Sequence, residues 1–191
     1  MLNKKQKIIN KTIEVLESGG IILYPTDTIW GIGCDATNEN AINKIYEIKK
    51  RQKNKPLILL IHDIKLLEKY ISNVPKIASK LIQNSTQPTT IIYENPKNLP
   101  KILVYQNTIG IRVVNNHEIS VVLKKFNKAI TSSSANISNS MHAINFSEID
   151  GHIKNNVDYI VPENFTSYKN TKKSSTIVKI NSDSSIQTIR K

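Results

Sequence analysis

The chain has 191 residues, a formal net charge of +12, a sequence pI near 9.7, 39% hydrophobic residues, 6 glycines and 7 prolines. That composition excludes a disordered or low-complexity polymer, and no apolar run approaches the roughly 20 residues that span a bilayer. The lone cysteine, Cys34, excludes an internal disulfide framework and is expected to be buried and inert; the first residues, MLNKKQKII, lack a signal-peptide core, so a soluble cytoplasmic protein is expected.

Residues 5–18 place Ile8, Ile9, Ile13 and Leu16 near helical spacing, which predicts an amphipathic helix closed by Gly19 and Gly20. Residues 21–24 form a continuous apolar run, the pattern of a strand buried on both faces, and Pro25 ends it. Thr26, Asp27 and Thr28 then set two hydroxyls and a carboxylate at a strand end, where α/β domains collect small-molecule sites, before residues 30–33 return inward. The competing reading is a plain turn in which Asp27 bonds its own backbone. Thr37 or Asn38 can cap a second helix with Ala41, Ile42, Ile45, Tyr46 and Ile48 on its apolar side. It runs into Lys49, Lys50 and Arg51, cations that also suit a helix C-terminus.

Pro56 opens a strand at 57–61, helical segments follow over 65–71 and 75–83, and strands are predicted at 89–93 and 109–114. In the last of these, Arg112 is a single charge among isoleucine and valine, which calls for a carboxylate or phosphate partner. A helix at 119–126 precedes a short strand at 129–131 that delivers Ser132, Ser133, Ser134, Ala135 and Asn136. A helix near 147–153 can use Ser147 and Asp150 as a capping box. A strand at 158–161, a polar loop at 162–174 and strands at 176–180 and 185–189 complete the chain. Strands and helices interleave without a linker or repeat, so the expected fold is a single α/β domain over 1–191 around a twisted mixed sheet.

His62, His117, His142 and His152 show no metal-ligand spacing, and the serine-hydrolase elbow, the Walker lysine loop and the dinucleotide glycine motif are all missing. No structural metal is expected. What remains is a set of polar groups at strand ends: Thr28, Lys49, Arg51, Lys55, Arg112, Ser132, Ser134, Asn136, Ser175 and Arg190. Such a set suits phosphoryl or nucleotidyl transfer, where a protein positions anions and neutralises charge.

The runs YPTDTIWGIG, Lys49-Lys50-Arg51 with Pro56-Leu57 behind it, Ser134-Ala135-Asn136 and STIVKI from Ser175 resemble the YrdC/Sua5-type threonylcarbamoyl-AMP synthases, from about residue 5 to the C-terminus. The resemblance implies a YrdC-like twisted mixed sheet flanked by helices, with an open concave basic surface. It implies a nucleotidyltransferase that joins L-threonine, bicarbonate or CO2 and ATP into L-threonylcarbamoyl-adenylate with release of pyrophosphate. The product would go to a separate transferase complex that modifies adenosine 37 of tRNA. Carried over, the family roles put Lys49 and Arg51 in catalysis and Thr28, Arg112, Ser132 and Ser175 on threonine. Lys49, Arg51, Lys55, Thr108, Ser134, Asn136 and Arg190 fall on ATP, which arrives with Mg2+. This chain departs from the pattern at Gln52, Lys55, Leu60 and Trp30, and residues 139–142 lack the Gly-x-Pro that often follows the Ser-Ala-Asn loop, so a nucleotide contact is not carried over to His142. The reading from another class is a non-enzymatic binder of double-stranded RNA or tRNA, favoured by the basic charge; the 6% aromatic content speaks against single strands.

Overall fold

The computed structural model describes residues 3–114, 117–167, 171–181 and 183–191. Helix α1 (Lys4–Glu17) begins at Asn3, whose side chain accepts from Gln6 N, and buries Ile8, Ile9, Val15 and Leu16. It ends as its two glycines require. Gly20 N donates to Val15 O at 2.8 Å and Gly19 N to Leu16 O at 3.1 Å, with Gly19 at φ 79°, a Schellman closure that turns the chain straight into β1 (Ile22–Tyr24).

Among the described residues eight further strands follow: β2 (Gly31–Gly33), β3 (Ile58–Ile61), β4 (Thr89–Glu94), β5 (Thr108–Val113), β6 (Ile130–Ser134), β7 (Tyr159–Ile160), β8 (Thr176–Ile180) and β9 (Ile186–Arg190). They form one mixed sheet in the order β7-β1-β2-β6-β3-β5-β4-β8-β9. The pairs β1/β7, β3/β5 and β4/β8 are parallel and the other neighbours antiparallel. Two apolar layers cover the sheet. Leu23, Ile32, Leu59, Ile61 and Ile111 pack with α2 (Glu39–Ile48), α3 (Leu67–Tyr70), α4 (Lys76–Asn84) and α6 (Gly151–Asn155). Ile22, Tyr24, Leu60 and Ile130 pack against α1 and α5 (Ile119–Phe126). Alternate residues of β1 therefore serve opposite layers, which is why residues 21–24 are apolar without interruption. Leu60 belongs to this second layer with no exposed surface.

Most elements stand where the periodicity puts them, and Asn38, whose side chain accepts from Ala41 N, is the cap of α2. Two differ. Residues 146–148 form a single 3-10 turn, and α6 starts only at Gly151 with Asp150 accepting from His152 N at 2.7 Å, so Ser147 takes no part in a capping box. The strand read as 129–131 begins at Ile130 and continues through Ser134, because Ser133 and Ser134 pair with Ile32 and Gly31. Gly33 permits that pairing, since a Cβ there would lie 2.0 Å from Thr131 O.

Candidate functional site

The turn between β1 and β2 is held by its hydroxyls. Thr26 Oγ1 donates to Ile29 O at 2.6 Å and accepts from Thr28 N at 3.0 Å, and the two threonine hydroxyls are 2.8 Å apart. Asp27 does not close the turn on itself. Its carboxylate reaches Arg112 on β5, with Oδ1 3.2 Å from Nη1, an ion pair by distance that is not aligned as a hydrogen bond. Arg112 is 3% exposed, its Nη1 also donates to Thr28 Oγ1 at 3.4 Å, and its Nε has no hydrogen-bond partner among the described residues. The buried charge demanded by the sequence thus has its carboxylate, while much of the guanidinium fork stays open.

A cavity of about 230 Å3 opens beside this pair. Thr28, Arg51, Arg112, Ser132, Ser134, Ser175 and Arg190 line it, joined by Thr26, Trp30, Ser174 and His142. Each is aimed by local structure. Ser132 Oγ accepts from the fully buried Tyr24 hydroxyl at 2.9 Å, and burial pushes that phenol well above its ordinary range, so it remains a donor. Ser175 pairs with Thr90 Oγ1 at 2.8 Å, and its carbonyl accepts from Arg190 Nε at 3.2 Å and Nη2 at 2.8 Å. Gly31 keeps the floor open, because a Cβ there would stand 3.1 Å from Tyr24 Cζ and 3.4 Å from Ser132 Oγ. Trp30, part of the wall, meets the Phe146 ring in a tilted contact with centroids 5.0 Å apart.

Lys49, Lys55, Thr108 and Asn136 are not brought to this wall. Lys49 is 1% exposed and points under the loop after β6, donating from Nζ to Ser134 O at 2.5 Å and Asn136 O at 2.6 Å. Lys55 Nζ donates to Asn139 Oδ1. Thr108 lies at the far end of β5 from Arg112, roughly 13 Å along the same strand face, with its hydroxyl on Tyr105 O. Asn136 directs its amide into its own loop. Thr26 and Asp27, to which the strand-end turn already pointed, and Tyr24, read only as part of the buried strand, complete the geometry. Their signal was the PTDT turn itself, but its partner comes from a strand some 84 residues on, the separation of Thr28 and Arg112.

The cavity is electropositive. Burial and the neighbouring Arg112 hold Arg190 below its ordinary value, burial does the same for Arg51, and burial with Arg51 holds Lys49 down to about 7. Cations forced together in a partly buried space favour an anion between them. Among the described residues no group of three or more His, Cys, Asp or Glu side chains could hold a metal ion. Cys34 is buried on Thr131 and its thiol is pushed up to about 12. No helix among the described residues is long and apolar enough to cross a membrane.

Sheet, turn and guanidinium cluster define an α/β protein with an arginine-lined cleft at its strand ends. The chain belongs to the Sua5/YciO/YrdC family, whose model matches residues 14–191 and carries the description "telomere recombination". A Methanocaldococcus jannaschii relative is 34% identical over 184 residues, 94% of this chain and 84% of its own length. The threonylcarbamoyl-AMP synthase of Pseudoalteromonas translucida is 33% identical over 162 residues, covering 83% of this chain and 87% of the relative. Among solved structures, Escherichia coli YciO superposes with a TM-score of 0.80 at 27% identity over 97% of this chain and 89% of its own. P. abyssi Sua5 complexed with L-threonine gives 0.79 at 24% identity over 94% of this chain, which spans about half (52%) of that longer protein.

Proposed function

We propose that this chain is an L-threonylcarbamoyl-adenylate synthase. The observation that carries the reading is the buried Arg112, paired on one side with Asp27 and open on the other toward a cavity walled by hydroxyls and two further arginines. A planar guanidinium grips a carboxylate in two places, which suits an α-amino acid, and Thr28, Ser132 and Ser175 supply hydroxyls around its small side chain. Arg51 and Arg190 remain to meet the phosphates of ATP. Lys49 and Asn136 act on the nucleotide through the loop they brace, while Lys55 and Thr108 lie off the cavity wall and are given no direct contact.

The amino group of threonine is carboxylated by bicarbonate, and one carbamate oxygen attacks the α-phosphorus of ATP. The new O–P bond replaces the bond to pyrophosphate, giving the adenylate, pyrophosphate and water. No covalent enzyme intermediate is needed, and the arginines stabilise charge as it moves onto the leaving group. Magnesium enters as the ion of the nucleotide substrate, held by phosphate oxygens and water, because Asp27 is engaged with Arg112. The product is a mixed anhydride that a separate transferase complex consumes on tRNA. Incubation with ATP, L-threonine and bicarbonate tests the reading. Pyrophosphate release is expected only when both the amino acid and bicarbonate are present, and equal turnover without threonine would remove the assignment.

A further inference from the structure

One side chain on the cavity wall has no role in neutralising charge. His142 lines the same cavity as Arg112 and Arg190, and its Nδ1 lies 3.2 Å from Asn136 Oδ1. The Asn136 amide has one sensible orientation. Its Nδ2 donates to Ile137 O at 2.8 Å and Ser140 O at 2.9 Å, and a flipped amide would set an oxygen against two carbonyl oxygens. Oδ1 only accepts, so Nδ1 carries the proton and Nε2 holds the lone pair. An asparagine that fixes the tautomer of a basic imidazole is the arrangement of Cys-His-Asn sites.

The other described residues of the wall cannot take up a proton at neutral pH. Its charged groups are Arg51, Arg112 and Arg190, and the rest are hydroxyl, apolar or indole side chains. Asp27 is on Arg112 and off this wall. Two cations act on the imidazole, Arg190 from β9 and, through the loop, Lys49 from the end of α2; burial first, then these charges, hold it below its ordinary value and therefore neutral.

We infer that His142, oriented by Asn136 as a positioning residue, is the proton acceptor of the cleft and takes through Nε2 the proton that the substrate ammonium must lose before carboxylation. The inference rests on the synthase reading above. In the step, R–NH3+ gives one proton to Nε2, and the amine nitrogen attacks the carbon of bicarbonate. The N–C bond forms as a C–O bond breaks, and hydroxide leaves with the second N–H proton as water. The products are R–NH–COO− and imidazolium, which returns its proton to solvent.

The test is pyrophosphate release by wild type and His142→Gln between about pH 5 and 8, with threonine and ATP varied separately and bicarbonate kept saturating at every pH, so that its own protonation does not shape the profile. Wild-type kcat/KM for threonine is expected to fall on the acid side as the imidazole protonates. In His142→Gln that limb should vanish, with kcat/KM for threonine lower by roughly 10²-fold or more and KM for ATP near wild type. Added imidazole should restore part of the rate to His142→Ala. An acid limb that persists in His142→Gln, or a loss seen only as a raised KM for ATP, would overturn the inference while leaving the synthase reading intact. A wild-type protein that makes no adenylate would overturn both.

Discussion

Arg112 shows how one residue joins fold and site. Its burial would be costly without Asp27, and the Nε left without a hydrogen bond is what the proposed carboxylate would engage. Arg112→Lys keeps a cation opposite Asp27 and loses the planar fork. A charge-assisted hydrogen bond contributes about 1.5–3 kcal/mol, so kcat/KM for threonine should fall roughly 10 to 150-fold with little change in melting temperature. Steady-state kinetics beside thermal melts would check both halves. Lys49 makes a different statement. With its folded value held at about 7 and its ordinary value at 10.5, the unfolded chain binds a proton between those limits that the folded chain does not. Stability should therefore rise with pH from about 7 upward. Lys49→Met deletes that linkage, and melts across this range should show a flatter slope for the variant than for wild type. At this scale the sequence made Arg112 legible, because a charge inside an apolar strand has few explanations. The direction of Lys49 was not legible: a cation at a helix end can face water, ligand or a neighbouring loop, and here two carbonyls of a segment some 85 residues away receive it.

Among the elements, the end of α2 positions the most chemistry in the fewest residues. Arg51 N donates to Tyr46 O and Lys50 N to Glu47 O, closing the helix as glycines close α1, but with Lys50 in the left-handed region at φ 48°. That closure turns Arg51 back so that its guanidinium donates to Lys55 O and Pro56 O and borders the cavity. Lys50 carries strain, and Arg51 carries the role proposed for it on the nucleotide. Lys50→Gly should stabilise the protein by about 0.5–1 kcal/mol and raise the melting temperature by a few degrees, without loss of synthase turnover. Arg51→Ala should cut adenylate formation at least tenfold, where Lys50→Ala leaves it near wild type; equal behaviour of the two alanine variants would remove Arg51 from the site. Apolar periodicity made these helices and strands visible. The capping box at Ser147 failed because two short turns, one 3-10 and one α, occupy a stretch read as a single helix. β6 was read too short because Ser132 to Ser134 lack the apolar signature, although their backbones complete the ladder to β2 and β3.

The molecule as a whole draws its site from parts far apart in sequence. β1 and β2 supply the turn, β5 the buried arginine, β6 the serines and β8 and β9 the last wall, in a sheet whose order no local pattern could dictate. The apolar layers hold the middle of the sheet from both sides, and that support fades toward β9. Every residue of β9 is exposed, its ladder partner is β8, and its register slips between Ile177 and Val178. Yet β9 carries Arg190, held to Ser175 by the two guanidinium hydrogen bonds. The least protected strand of the sheet therefore delivers one of the cations of the cleft, and the backbone amides of residues 186–190 should exchange with deuterium far faster than those of β3 or β5. A ligand that engages Arg190 ties the strand down, so saturating ATP should slow exchange at β9 while leaving the central strands unchanged. Equal exchange with and without nucleotide would mean that Arg190 stands beside the substrate without holding it.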